Sequence, residues 1–361
     1  MISKELTPLE WAKKACDTLM STYEAKDLPP HRFHYHQGVF LLGVEKYLTL
    51  DERTDYFNYI KEWVDAYVTE DGRIKLLNFE QLDDIQPGIL LFNLYEKTKE
   101  EKYKKALYNL VPLLKTWKTN EAGGFWHKDV TPNQMWLDGL FMGGPIGVKF
   151  GATFDEPEYF DLVTFQAKLM TTQTKDGQTG LLYHGWDPTK EAYWADKETG
   201  LSSEFWGRAI GWYPLALVEI LDYLPKDHKN RPFILKTLQD LINALVNYQD
   251  STGLWYQVID KGHLKDNWLE TSCSALFVAA IAKAVRMGYV HSSLLNNAQN
   301  GYDGIINRLK FDEKDQLIID NICVGTPIGD YQFYVNRPTS QNDLHGSGAF
   351  IIMCVEMSQL S

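Results

Sequence analysis

Gly346-Ser-Gly-Ala-Phe-Ile-Ile352 opens on small residues and then runs apolar without a polar face. A helix that is hydrophobic all round is a buried one. Gly38-Val-Phe-Leu-Leu-Gly43 and Pro87-Gly-Ile-Leu-Leu-Phe92 read the same way. The segments that follow the latter two, such as 55–68 and 102–117, instead alternate an apolar stripe with a charged face. The same criteria predict about twelve helices, over approximately 7–23, 38–49, 54–68, 83–97, 101–117, 135–150, 157–173, 203–223, 231–248, 270–287, 291–309 and 345–358. The first is marked by Thr7-Pro8-Leu9-Glu10, an N-cap, a first-turn proline and a capping-box glutamate. Connections after the even-numbered helices are short, roughly three to seven residues, whereas those before them are long, from about a dozen to over thirty. Antiparallel helices joined in this alternation put every long loop on one face. Six buried helices inside six amphipathic ones predict an all-α, single-domain (α/α)6 barrel spanning 1–361. An open solenoid would bury both sets alike.

Composition narrows the function. The 361 residues hold 48 Asp plus Glu against 36 Lys plus Arg, a net charge of −12. Such a chain lacks the basic footprint of non-specific nucleic-acid binding. No apolar run reaches the roughly 18 residues a membrane helix needs. The start, Met1-Ile-Ser-Lys-Glu-Leu6, has no apolar signal core, so a cytoplasmic location is expected. Cys16, Cys273, Cys323 and Cys354 lie far apart, as buried reduced thiols do. Aromatics make up 13% of the chain, and many fall at the starts of the predicted inner helices.

Those starts share the long-loop face, where function is expected. They read His34-Tyr-His36, Leu82-Asp83-Asp84, Trp136-Leu-Asp138-Gly139, Glu204-Phe-Trp206-Gly-Arg208 through Trp212, Glu270-Thr-Ser272, and Asn342-Asp343-Leu-His345-Gly-Ser347. Aromatic walls with a few charged groups suit a sugar. Asp138 reads either as an N-cap or as a catalytic carboxylate. Asp83 and Asp84 carry the same ambiguity, and two nearby carboxylates would push one pKa up while a helix N-terminus pulls it down. Glu204, Arg208 and Trp212 at spacing four read either as a salt bridge beside a core tryptophan or as an arginine facing a substrate anion. His184, in Gly180-Leu-Leu-Tyr-His-Gly-Trp186, and Lys128, in Gly123-Gly-Phe-Trp-His-Lys128, stand in long loops. No P-loop, dinucleotide fingerprint, serine triad or zinc spacing is present, so neither cofactor nor metal is expected.

Taken together, Gly124-Phe-Trp-His-Lys128, Met135-Trp-Leu-Asp-Gly-Leu-Phe-Met142, Gly180-Leu-Leu-Tyr-His-Gly-Trp-Asp187, Phe205-Trp-Gly-Arg-Ala-Ile-Gly-Trp212, Leu269-Glu-Thr-Ser272 and Asn342-Asp-Leu-His-Gly-Ser-Gly-Ala-Phe350 resemble the unsaturated rhamnogalacturonyl hydrolases of glycoside hydrolase family 105. The resemblance implies an (α/α)6 barrel acting on disaccharides left by polysaccharide lyases, with hydration of a 4,5-unsaturated uronyl double bond, no metal and no covalent sugar intermediate. It implies Asp138 as proton donor, Asp83 as the second carboxylate, and Lys128, His184, Trp206, Arg208 and Trp212 as substrate-binding residues. Arg208, Lys128 and a protonated His184 are the cations available to a uronate. An unsaturated glucuronyl hydrolase is the nearest alternative. A sugar epimerase fits less well, because it wants two facing helix histidines, and so does a glycan-binding scaffold.

Overall fold

The computed structural model describes residues 6–75, 77 and 80–360, so the reading of Met1–Glu5 as lacking a signal core lies outside the described residues. Its helices are α1 (Pro8–Thr22), α2 (Tyr35–Leu48), α3 (Thr54–Tyr67), α4 (Leu90–Thr98), α5 (Glu101–Leu110), α6 (Asp138–Phe154), α7 (Glu158–Thr174), α8 (Gly207–Tyr223), α9 (Arg231–Leu245), α10 (Thr271–Arg286), α11 (Leu295–Ile306), α12 (Tyr331–Val335) and α13 (Leu344–Ser358). Each of α2, α4 with its preceding turns, α6, α8, α10 and α13 packs on the next, and α13 returns to α2. The inner ring is thereby closed, and α1, α3, α5, α7, α9 and α11 surround it: the fold is an (α/α)6 barrel. None of the described helices is long and apolar enough to cross a membrane.

Local chemistry explains where the ends fall. Thr7 and Glu10 form the capping box that starts α1, which buries Trp11, Ala15, Cys16 and Leu19. In α13 every residue from Leu344 to Met357 is buried. The seam that closes the ring is a backbone contact. A Cβ on Gly348 of α13 would lie 2.5 Å from the Val39 carbonyl oxygen of α2, and one on Gly43 would lie 3.1 Å from the Gly348 carbonyl. Only a residue without a side chain fits at Gly348.

Three boundaries differ from the sequence reading. The predicted helix 83–97 begins as two 3-10 turns, Leu82–Asp84 and Gln86–Ile89, because Pro87 lacks an N–H for the α pattern. The predicted helix 101–117 leaves the α form after Leu110, and Val111–Thr116 continues as 3-10 around Pro112. The predicted helix 203–223 starts only at Gly207, since Trp206 is extended and bridges Val258. Glu204 therefore stands off the helix and makes no i,i+4 pair with Arg208. A short helix, α12, was not predicted. It sits in the long loop before α13, among four two-residue antiparallel strand pairs that brace the described loops. All four cysteines are buried and free.

Candidate active site

Two small ladders assemble the centre. Met135–Trp136 pairs antiparallel with Gly185–Trp186, with Trp136 opposite Gly185. The Leu137 N–H donates to the His184 carbonyl at 2.9 Å. Gly185 is required here, since a Cβ would lie 2.8 Å from the Met135 carbonyl oxygen and 2.3 Å from Ile328. This ladder sets the His184 ring beside the first residue of α6, with Nε2 3.2 Å from Asp138 Oδ2. In the second ladder Gln81 bridges Lys128 and the Leu82 N–H donates to the His127 carbonyl at 3.0 Å. It sets two nitrogen side chains beside Asp83: His127 Nε2 is 3.1 Å from Oδ1 and Lys128 Nζ is 3.1 Å from Oδ2.

Asp138 is no N-cap. Leu137 occupies that position, and it makes no side-chain cap hydrogen bond. The bland reading of Asp138 fails on this point. Its neighbour His184 is fixed by a relay. Gly329 N–H donates to the Tyr334 hydroxyl at 3.1 Å, and that hydroxyl lies 2.7 Å from His184 Nδ1. The hydroxyl hydrogen has His184 Nδ1 as its acceptor among the described residues, so Tyr334 donates to Nδ1, which leaves the imidazole proton on Nε2, toward Asp138. The Nε2–Asp138 contact is close but poorly aligned for a hydrogen bond.

Electrostatics separates the two carboxylates. Burial raises both, but His127, Lys128 and His34 hold Asp83 well below the usual carboxylate range. Asp138 is also lowered, with burial opposed chiefly by His184 and then His127, while Asp83 pushes it back up. The sequence left that balance open; here the favourable contacts win. Asp84 goes the other way, pushed up to about 6 by burial and by Asp83 despite Gln81. Burial lowers His184 more than Asp138 raises it. Burial thus works against the protonated His184 expected from the sequence, since a ring wholly inside the protein has no water to stabilise its charge.

Arg208 does not form the Glu204 salt bridge that one sequence alternative offered. Its Nη1 and Nη2 donate to the Cys323 and Val324 carbonyls at 2.6 and 2.7 Å, and its guanidinium lies 4.6 Å from the Trp206 ring. Glu204 pairs with Lys261 instead. Arg208 is 1% exposed and has no carboxylate within ion-pair distance among the described residues. Trp206 packs against Tyr334, His184 and Arg208, so it positions these groups. Trp212 stacks on Phe141 and meets Tyr35 edge-on, one helical turn below the mouth. Trp136 stacks on His127 and carries Lys128 5.3 Å from its ring. Thus Asp83, Lys128, Asp138, His184, Trp206 and Arg208 converge, and Trp212 backs them. His36 adjoins this group through His34, whose Nδ1 is 3.1 Å from its own Nδ1, and its ring also meets His345.

Three groups carry no role in the sequence reading. His127 was visible in the Gly-Phe-Trp-His-Lys motif but overshadowed by Lys128. His34, 3.8 Å from Asp83 and driven down to about 3 by burial, adjoins the less ordinary His36. Tyr334 left no signal, since its loop has no motif and its helix is five residues long.

The family model of Glycosyl Hydrolase Family 88 matches residues 11–361. A family 105 glycoside hydrolase of C. acetobutylicum ATCC 824 is 34% identical, covering 96% of this chain and 99% of its own, with a TM-score of 0.92. The unsaturated rhamnogalacturonyl hydrolase of Bacillus subtilis (strain 168) is 28% identical over 265 residues, 71% of this chain and 73% of its own. The unsaturated glucuronyl hydrolase of Bacillus sp. GL1 shares the fold at 12% identity and a TM-score of 0.72, covering 96% of this chain and 95% of its own.

Proposed function

The chain belongs to the family 88/105 glycoside hydrolases, and from that premise we propose that it removes a 4,5-unsaturated galacturonic acid from rhamnose in lyase-made disaccharides. The observation that carries this reading is the unequal setting of the two carboxylates. Asp83 is surrounded by Lys128, His127 and His34, so it stays an anion and can accept hydrogen bonds from sugar hydroxyls. Asp138 has as its near partner one imidazole whose pKa burial lowers, and its charge is cheaper to neutralise. A uronate entering beside it adds negative charge and displaces water, and both effects raise the Asp138 pKa.

The reaction then needs one proton in circulation. Asp138 delivers it to C4 of the vinyl ether while charge develops at C5 and the ring oxygen. A water molecule adds at C5 and returns a proton to Asp138. The hemiketal so formed opens to the keto uronate and releases the rhamnose hydroxyl with the proton it requires. No covalent sugar–protein bond forms, in contrast with retaining glycosidases. His184, held as the Nε2–H tautomer, steadies the Asp138 carboxylate between the two proton transfers. Arg208 is a buried cation without a carboxylate partner, and the uronate is an anion that would offset it.

The conjugated alkene absorbs in the ultraviolet, so its loss reports turnover directly. Wild-type protein is expected to bleach the signal faster with unsaturated galacturonyl-rhamnose than with unsaturated glucuronides from acidic glycans. Retention of the signal across that panel sinks the proposal, and a preference for the glucuronides reassigns the substrate. Asp138→Asn should lower kcat by at least about 10²-fold with the fold intact, because an amide neither donates nor takes the proton.

A further inference from the structure

The seam that closes the barrel carries a second cluster, His36 at the start of α2 with Asp343 and His345 at the start of α13. One ligand-capable atom from each lies within 4.8 Å of the other two. The Nε2 of His345 is 3.1 Å from the Cys323 carbonyl oxygen, which can only accept, so Nε2 carries the ring proton. The Nδ1 atom then presents its lone pair. It lies 2.7 Å from Asp343 Oδ1, yet makes no aligned hydrogen bond, and the ring is completely buried. A lone pair and a carboxylate oxygen at that separation repel unless a proton or a metal ion stands between them. Arg208 does not serve, because its guanidinium is engaged with the carbonyls of Cys323 and Val324. The His36 ring stands 5.1 Å from that of His345 and nearly perpendicular to it, so it supplies a third donor from the opposite side of the seam.

We propose that His36, Asp343 and His345 form a binding site for one divalent transition-metal ion of the zinc class, which ties the first inner helix to the last at the mouth of the barrel. Two imidazoles and one carboxylate are the donors such ions prefer over magnesium or calcium. The Cys323 carbonyl fixes the His345 tautomer as outer-shell partners of metal-bound histidines do. Three protein donors leave the remaining positions to water. The site is spread over residues some 300 apart in sequence, which is why no spacing motif announces it. Its role is to fasten a seam where α2 and α13 are otherwise joined by close backbone packing at Gly43 and Gly348. The inference is independent of the proposed reaction.

The test uses the full chain stripped with a chelator, then mixed with zinc chloride and gel-filtered. Elemental analysis should find about one zinc per chain, and zinc should raise Tm by several degrees over the stripped protein. Cobalt(II) should give the visible absorption of a low-coordinate nitrogen–oxygen site. His36→Ala and Asp343→Asn, both at partly exposed positions, should lose the ion and the Tm gain together. His291→Ala, an exposed histidine elsewhere, should lose neither. Failure to retain zinc, or equal retention by His36→Ala and Asp343→Asn, overturns the site whatever substrate the enzyme proves to hydrolyse.

Discussion

Tyr334 shows how one hydroxyl sets the chemistry of a neighbour it never reacts with. Its donation to His184 Nδ1 fixes the ring proton on Nε2, beside Asp138. Tyr334→Phe removes the donor, and the His184 proton is free to move to Nδ1. Asp138 then loses the contact that does most to hold its pKa down, and because it acts first as proton donor, the alkaline limb of the pH–rate profile should move to higher pH. On the order of a tenfold loss in kcat is expected, with little change in KM. An unchanged pH profile in that variant would show that the tautomer does not matter to the rate. Asp83 teaches the complementary lesson. It is as buried as Asp138, but Lys128 and His127 surround it, and the same burial yields a more firmly ionised group.

Among the elements, α2 and α13 show what glycine does inside a buried helix. Glycine lowers helix stability by roughly 1 kcal/mol relative to alanine in open helices. At Gly348 that comparison reverses, because a methyl would sit 2.5 Å from the Val39 carbonyl and 2.6 Å from the Phe40 nitrogen. The neighbours are backbone and cannot rotate away. Gly348→Ala should therefore destabilise the fold by about 2–3 kcal/mol, read as a lower midpoint in urea with an unchanged slope. Gly177, whose added Cβ meets nothing within 4 Å, is the control; Gly177→Ala should leave the midpoint nearly unmoved.

For the whole molecule, the end of the barrel opposite the long-loop mouth is closed by buried charge. Lys283 of α10 and Lys46 of α2 both reach Glu219 of α8 at 2.9 Å, Lys283 also pairs with Asp222, and Arg286 reaches Glu356 of α13 at 2.6 Å. Glu45, at the same end of α2, has no such pair among the described residues, and burial pushes its pKa up to about 7 against the pull of Lys149 and Lys46. A carboxyl whose folded pKa exceeds its unfolded one stabilises the fold while protonated. That contribution is complete below about pH 4.5 and is lost as pH rises toward 7. Glu45→Gln should raise Tm at pH 8, by an amount corresponding to about 3 kcal/mol, and the gain should vanish near pH 4. An equal gain at both pH values would show that packing, not ionisation, is responsible.

Much of this architecture was legible in the chain itself. Apolar runs such as Gly346–Ile352 marked the buried helices, and the alternation of short and long connections implied a ring with one functional face. Those features are periodicities and lengths, which one strand of sequence carries in full. The motifs around Asp83, Lys128, Asp138, His184 and Arg208 were legible for the same reason, since each is contiguous. What the sequence could not contain were relations between loops. The Nε2 proton of His184 depends on Tyr334, 150 positions away; Arg208 bonds to carbonyls 115 and 116 residues on; and His36 meets Asp343 and His345 only because the last hairpin closes on the first. Charge state, tautomer and ligand geometry depend on distances of a few ångströms between remote side chains, and only closure of the barrel creates those distances.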